Sequence, residues 1–238
     1  MKLRTVLLTL CLALCAPWAP AQTPAGRAVT PGPFDTIEIS GSAVVHIAQG
    51  TSDQVAIEGG SEAQNAVELE VHNGVLMIRP SGSWKFWNSQ RARIAVTVRD
   101  LKRLFISGAA DVRAPDAVRA RHLAVFISGA GSVRFDQLQA DELKFTVSGA
   151  GDGQMAGTVD QLNVSISGRS EFRGENLMSQ RAAVAVSGVG DVKVWATETL
   201  KIAVSGLGTV DYWGTPSVKR STSGVATINS RGAKRVGS

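Results

Sequence analysis

The stretch 145-FTVSGAGDG-153 recurs along this chain in altered copies: 105-FISGAADV-112, 126-FISGAGSV-133, 165-SISGRSEF-172, 185-AVSGVGDV-192 and 203-AVSGLGTV-210. Aligned on the Ser-Gly pair, the serines are Ser107, Ser128, Ser148, Ser167, Ser187, Ser205 and Ser223, at steps of 21, 20, 19, 20, 18 and 18 residues. A period of this size marks stacked coils or blades. One, three and five residues before the serines stand apolar residues such as Val147, Phe145 and Leu143, while Lys144 and Thr146 alternate with them. Period two predicts a strand with one buried face.

The alternation resumes five and seven residues past each serine, at Val112, Val133 and Phe135, Phe172, Val192 and Val194, and Val210 and Tyr212. Each unit is therefore strand, corner, strand, with no room for a helix. Propeller blades take about 40 residues each. A coil of about 19 residues points to an all-β fold, a right-handed parallel β-helix of about seven short coils. The glycines are expected to turn the corner in positive φ and to let one corner pack on the next. Asp111, Asp152 and Asp191 are expected to bond nearby backbone in Asx turns.

Residues 33–100 follow the repeat less closely. 34-FDTIEISGSAVVHIAQG-50 overlays on it at Ser40, with Ile37, Ile39, Val45 and Ile47 in the buried places, whereas 67-VELEVHNGVLMI-78 reads as an antiparallel hairpin about Asn73-Gly74. This irregular part is expected to cap the regular repeats of 101–229, because an open end coil exposes unpaired strand edges. A linker is expected at 22–32 and a flexible tail at 230–238.

Lys2 and Arg4, the apolar run 6–16 and Ala19-Pro20-Ala21 form a signal-peptide pattern over 1–21, with cleavage after Ala21. The run is shorter than the ~20 residues a membrane helix needs, and no other stretch approaches that length. Cys11 and Cys15 are the only cysteines. An exported mature chain, periplasmic or extracellular, then carries no thiol chemistry. Loss of Lys2 and Arg4 leaves 23 basic against 20 acidic residues, about +3, too mild to indicate nucleic acid.

These motifs carry a family resemblance. The SGxGD units, Phe34-Asp-x-Ile-x-Ile-Ser-Gly, Gly74-x-Leu-x-Ile, Ile94-Ala-Val-Thr-Val before Leu104-Phe-Ile-Ser-Gly, and Tyr212-Trp-Gly-Thr-Pro resemble the putative auto-transporter adhesin, head GIN domain family over about residues 33–229. The resemblance implies an exported right-handed β-helix with an adhesive role and no established catalytic residues. Neither a membrane barrel nor a trimeric anchor is expected after the repeats.

Four residues past each serine lie Asp111, Ser132, Asp152, Glu171, Asp191, Thr209 and Thr227. Unit charges ~4.8 Å apart repel by roughly 0.9 kcal/mol in water, so Asp152, Glu171 and Asp191 must be solvated, splayed or neutralised. Solvated corners are the plain reading; a calcium ion between them is the weaker one, since dense Asp and Gly nonapeptides are absent. Paired carboxylates could also hydrolyse a polysaccharide, which makes a carbohydrate-active hydrolase or lyase the rival to a non-enzymatic binding module. The seven serines are read as a hydroxyl ladder, and His46, His72 and His122 stand at no metal-ligand spacing. No cofactor is expected.

The stretch 81-SGSWKFWNSQRAR-93 holds Trp84, Phe86 and Trp87 among Lys85, Arg91 and Arg93. These either cover the open solenoid end or form a patch that stacks on a glycan or docks a cell-envelope protein. Trp195 and Trp213 fall at repeat corners and are read as structural.

Overall fold

The computed structural model describes residues 26–81 and 92–234. The expected signal peptide with Ala21, Cys11 and Cys15, and the patch residues Trp84, Lys85, Phe86, Trp87 and Arg91, lie outside the described residues. The strands are β1 Gly26–Val29, β2 Thr36–Ile39, β3 Ser42–Gln49, β4 Gln54–Glu58, β5 Val67–His72, β6 Val75–Pro80, β7 Ala92–Val98, β8 Arg103–Ile106, β9 Ala109–Ile127, β10 Ala130–Val147, β11 Ala150–Ile166, β12 Arg169–Val186, β13 Val189–Val204, β14 Leu207–Trp213, β15 Ser217–Thr222 and β16 Val225–Ser230. Among the described residues there is one short helix, α1 Ser61–Asn65, which buries nothing.

From β9 to β14 each strand pairs in parallel with the next, and β15 and β16 then add in parallel to β13 and β14, building a β-solenoid of about 6 turns. Each rung has three straight segments, seen between β10 and β11 as Ala130–Phe135, Leu138–Ala140 and Glu142–Val147 with a register shift at the first bend. The residues one and three before the serines from Ser107 to Ser205 form buried columns: Ile106, Ile127, Val147, Ile166, Val186 and Val204, beside Leu104, Val125, Phe145, Val164, Val184 and Ile202. The first third joins the same core through Ile37, Ile39, Val45 and Ile47, each at most 1 % exposed. Burying a side chain of this size contributes about 1.5–3 kcal/mol, so the columns dominate the stability.

The N-terminal third is threaded out of order. β2 lies between β6 and β8, and β3 between β7 and β9, so the first coil in sequence is an internal rung. The chain then builds the outer layer, with β4 antiparallel to β7, β5 antiparallel to β6 and β1 antiparallel to β4. The β5–β6 hairpin turns at Asn73 and Gly74, whose φ values of 50° and 78° suit the tight turn predicted there. Asp53, 6 % exposed, locks the layer to the stack by accepting the Arg99 backbone N–H at 2.9 Å and its guanidinium at 2.7 Å.

Several expectations need correction. Residues 26–29, assigned to a linker, form the edge strand β1. The expected tail is docked as far as Lys234: Arg231 donates its backbone N–H to Tyr212 O at 2.8 Å, and Gly214 donates to Gly232 O at 2.9 Å. The corner glycines from Gly108 to Gly224 do not adopt positive φ. They are there for close approach, because a Cβ on any of them would collide with the glycine carbonyl of the coil before; at Gly129 it would also stand 2.6 Å from Ser107 O.

Candidate functional site

The column four past the serines is in register: Asp111 pairs with Ser132, Ser132 with Asp152, Glu171 with Asp191, Asp191 with Thr209 and Thr209 with Thr227. Asp152 accepts the Glu171 backbone N–H at 3.0 Å, one coil on, instead of closing the local Asx turn expected of it. Ser132 donates to Asp111 at 2.7 Å. Glu171 takes Arg173 Nε at 2.7 Å and Lys193 Nζ at 3.3 Å. The Arg173 hydrogen bond is the chief reason its carboxyl is held below the usual range. Arg93, from the expected aromatic patch, is exposed on β7 and pairs with Val44, which pairs in turn with Asp111.

Two residues further on, a basic column flanks the acidic one: Arg113, Arg134, Gln154, Arg173 and Lys193. Arg134 binds Asp136 at 2.6 Å. This face is therefore largely neutralised by the protein's own side chains. Its groove of about 760 Å³ is lined by residues of both signs, including Arg113, Asp116, Arg134, Asp152 and Arg173. Among the described residues no group of three or more His, Cys, Asp or Glu is placed to hold a metal ion. A glycosidic acid must hold its proton near neutral pH. Glu171, kept ionised by Arg173, is ill suited to that role.

The serine hydroxyls do not bond one another. Ser107, Ser128, Ser167 and Ser187 point at backbone carbonyls of the preceding coil, at 3.4, 3.5, 3.3 and 3.4 Å. Such long contacts are weak, and the serines are structural.

The outer face of the strands before the serines has a different balance of charge, and no motif in the sequence announces it. Its two outward columns run Arg103, Ala124, Lys144, Asn163, Ala183, Lys201, Lys219 and Phe105, Phe126, Thr146, Ser165, Ala185, Ala203, Ser221. Between Arg103 and Lys219 they contain four cations and no carboxylate, while Glu38 continues the second column beside Phe105 and Glu142 accepts the Asn163 amide at 3.1 Å from the neighbouring column. Phe105 and Phe126 stack at 4.9 Å and 8°, and Lys144 Nζ sits 5.6 Å from the Phe126 ring centre. A shallow groove of about 450 Å³ follows, floored by Ala183, Ala185 and Ala203 and edged by Lys144, Lys201 and Lys219. Among the described residues none of these three lysines has an ion-pair partner. Small outward side chains keep the floor flat, and alternation sends every second residue of the strand to it.

Residues 33–216 match the family described as putative auto-transporter adhesin, head GIN domain. The chain belongs to this family. Among solved structures, a putative adhesin from Bacteroides fragilis superposes with TM-score 0.82 at 24 % identity, over 89 % of this chain and 98 % of that one. A putative adhesin from Parabacteroides distasonis gives TM-score 0.70 at 19 % identity, over 87 % and 96 %. A protein of the same species described as a putative lipid binding protein gives 0.62 at 19 %, again over 87 % and 96 %. At these identities the likeness is one of fold. No curated protein matches the sequence. The head GIN chain is thus an adhesin-like surface protein by family. Among the described residues no helix is long and apolar enough to cross a membrane.

Proposed function

We propose that this head GIN protein is an exported, non-catalytic binding module whose ligand is an anionic glycan lying across the face before the serines. The observation that carries the reading is the column Lys144, Lys201 and Lys219, without carboxylate partners, beside a flat alanine floor. Lys201 and Lys219 sit on adjacent coils ~4.8 Å apart and repel by roughly 0.9 kcal/mol in water, which a bound anion relieves. Lys144 and Lys219 are four coils apart, about 19 Å, a span suited to an extended saccharide. The stacked rings of Phe105 and Phe126 supply an apolar plane for a sugar ring at one end.

The test is retention on immobilised polygalacturonate, with dextran as the neutral control and phosphatidylglycerol vesicles as the lipid alternative. The protein should bind polygalacturonate in a salt-sensitive way, and the K144Q/K201Q/K219Q variant should lose about tenfold or more in affinity. Equal binding to dextran, a preference for the vesicles, or an unchanged triple variant would overturn the reading. Incubation with polygalacturonate should release no reducing ends; release abolished by Asp152→Asn or Asp191→Asn would instead establish the hydrolase alternative.

A further inference from the structure

Lys234 ends in a site assembled from three successive coils. Its Nζ lies 5.4 Å from the Trp195 ring centre and 5.8 Å from that of Trp213. It donates to the Glu175 backbone oxygen at 2.5 Å and to Asn176 Oδ1 at 2.7 Å. Trp195 on β13 and Trp213 on β14 are register partners, and Glu175 and Asn176 belong to β12. Glu175 Oε2 is itself buried without a hydrogen-bond partner. Two indole faces with two oxygen acceptors make an ammonium-recognition environment.

The backbone that carries the walls of this site is held by strand pairing, which sets Trp195 beside Trp213. The tail is held separately, by Arg231 on Asp211 at 2.9 Å and by the Gly214 bond to Gly232. Its lysine therefore behaves as a tethered occupant, present at high effective concentration and able to compete with a free ligand of the same chemistry.

We infer that Trp195, Trp213, Asn176 and the Glu175 carbonyl form a binding site for a primary ammonium group, occupied in cis by Lys234 and opened to an external amine when that side chain withdraws. The two oxygen acceptors require N–H donors, so a primary alkylammonium fits and a quaternary one loses both hydrogen bonds. The site lies away from the Lys144–Lys219 face and is independent of the glycan reading.

The full chain carrying Lys234→Ala is titrated with n-butylammonium chloride, with sodium chloride and tetramethylammonium chloride at equal ionic strength as controls. The readout is the indole N–H resonances of Trp195 and Trp213. Both should shift saturably with butylammonium in the variant, and at least about tenfold more amine should be needed in the native protein, where Lys234 competes. Adding the exposed Asn176→Ala change should weaken the response without disturbing the strands. Indole signals that stay fixed in the Lys234→Ala protein, that follow sodium chloride equally, or that respond as readily in the native chain would overturn the assignment. A lower melting temperature with no amine response would reduce Lys234 to a structural clamp.

Discussion

The Phe145 ring occupies the space that a side chain at Gly153 would need: a Cβ there would stand 2.6 Å from Phe145 Cζ and 3.1 Å from Phe172 Cδ2. Equivalent positions on other coils hold Val112, Val133, Phe172 and Val192, all buried. The glycine is a volume exchange across the core. Phe145 and Phe172, tilted at 46° with centres 5.0 Å apart, fill what Gly153 leaves. Gly153→Val should destabilise the fold by about 1–3 kcal/mol or more, since overpacking forces side chains off their rotamers. Adding Phe145→Val should recover much of the loss, as measured by urea unfolding. An additive double variant would show that the two sites are not exchanging volume.

Corner glycines should prove intolerant although their φ values are ordinary. At Gly168 a Cβ would collide with the Gly149 carbonyl and stand 2.8 Å from Ser148 O, whereas at Gly60 it would meet nothing within 4 Å. Gly168→Ala should cost about 2 kcal/mol or more, because backbone above and below cannot yield without breaking the ladder. Gly60→Ala should change stability by less than about 0.5 kcal/mol. Thermal melts of the two variants make the comparison, and equal shifts would refute it.

Acid should weaken the protein. Burial alone would raise the carboxyls of Asp53 and Asp211, but the hydrogen bonds from Arg99 to Asp53, and from Arg231 and Asn229 to Asp211, leave both below the usual value. A folded-state pKa below the unfolded one adds stability that is present above the unfolded value and is lost as pH falls through the folded value. Stability should therefore be flat near neutrality and decline below about pH 5. Asp53→Asn should be less stable at pH 7 and show a shallower decline, read from unfolding midpoints across pH 3–7 in the range of about one unit either side of the carboxylates.

The C-terminal edge is guarded from within. Arg220 on β15 takes the inward position over Ile202 and reaches Tyr212 Oη at 3.3 Å, while Thr222 lies over Val204. A polar group at the end of an apolar column discourages a second chain from continuing the stack. Arg220→Val should promote self-association, visible as larger species in sedimentation velocity at concentrations where the native chain stays unchanged. No increase would mean that the edge is protected in another way.

The coils were legible because their period and alternation are properties of the chain itself: Phe145, Val147 and the residues above them must face one way once the strand forms. The β5–β6 hairpin was legible for a similar local reason, since Asn73-Gly74 accepts the turn's dihedrals. Other features were not local. The threading of β2 between β6 and β8 places strands from distant parts of the sequence side by side, and nothing within Thr36–Ile39 names its neighbours. The lysine column has no local signal, because Lys144, Lys201 and Lys219 are ordinary outward residues until the coils stack them on one face.

By itself the sequence determined that this protein would coil, where each coil would bend and which side of each strand would be buried, because hydrophobic alternation and the Ser-Gly period act within about twenty residues. Tertiary structure alone decided which charges stand side by side on the surface. Charges about 20 residues apart become neighbours ~4.8 Å apart only when the coils stack. One face then neutralises itself, through Glu171, Arg173 and Lys193, while the other is left basic. The same stacking brings Trp195 and Trp213 together beneath Lys234.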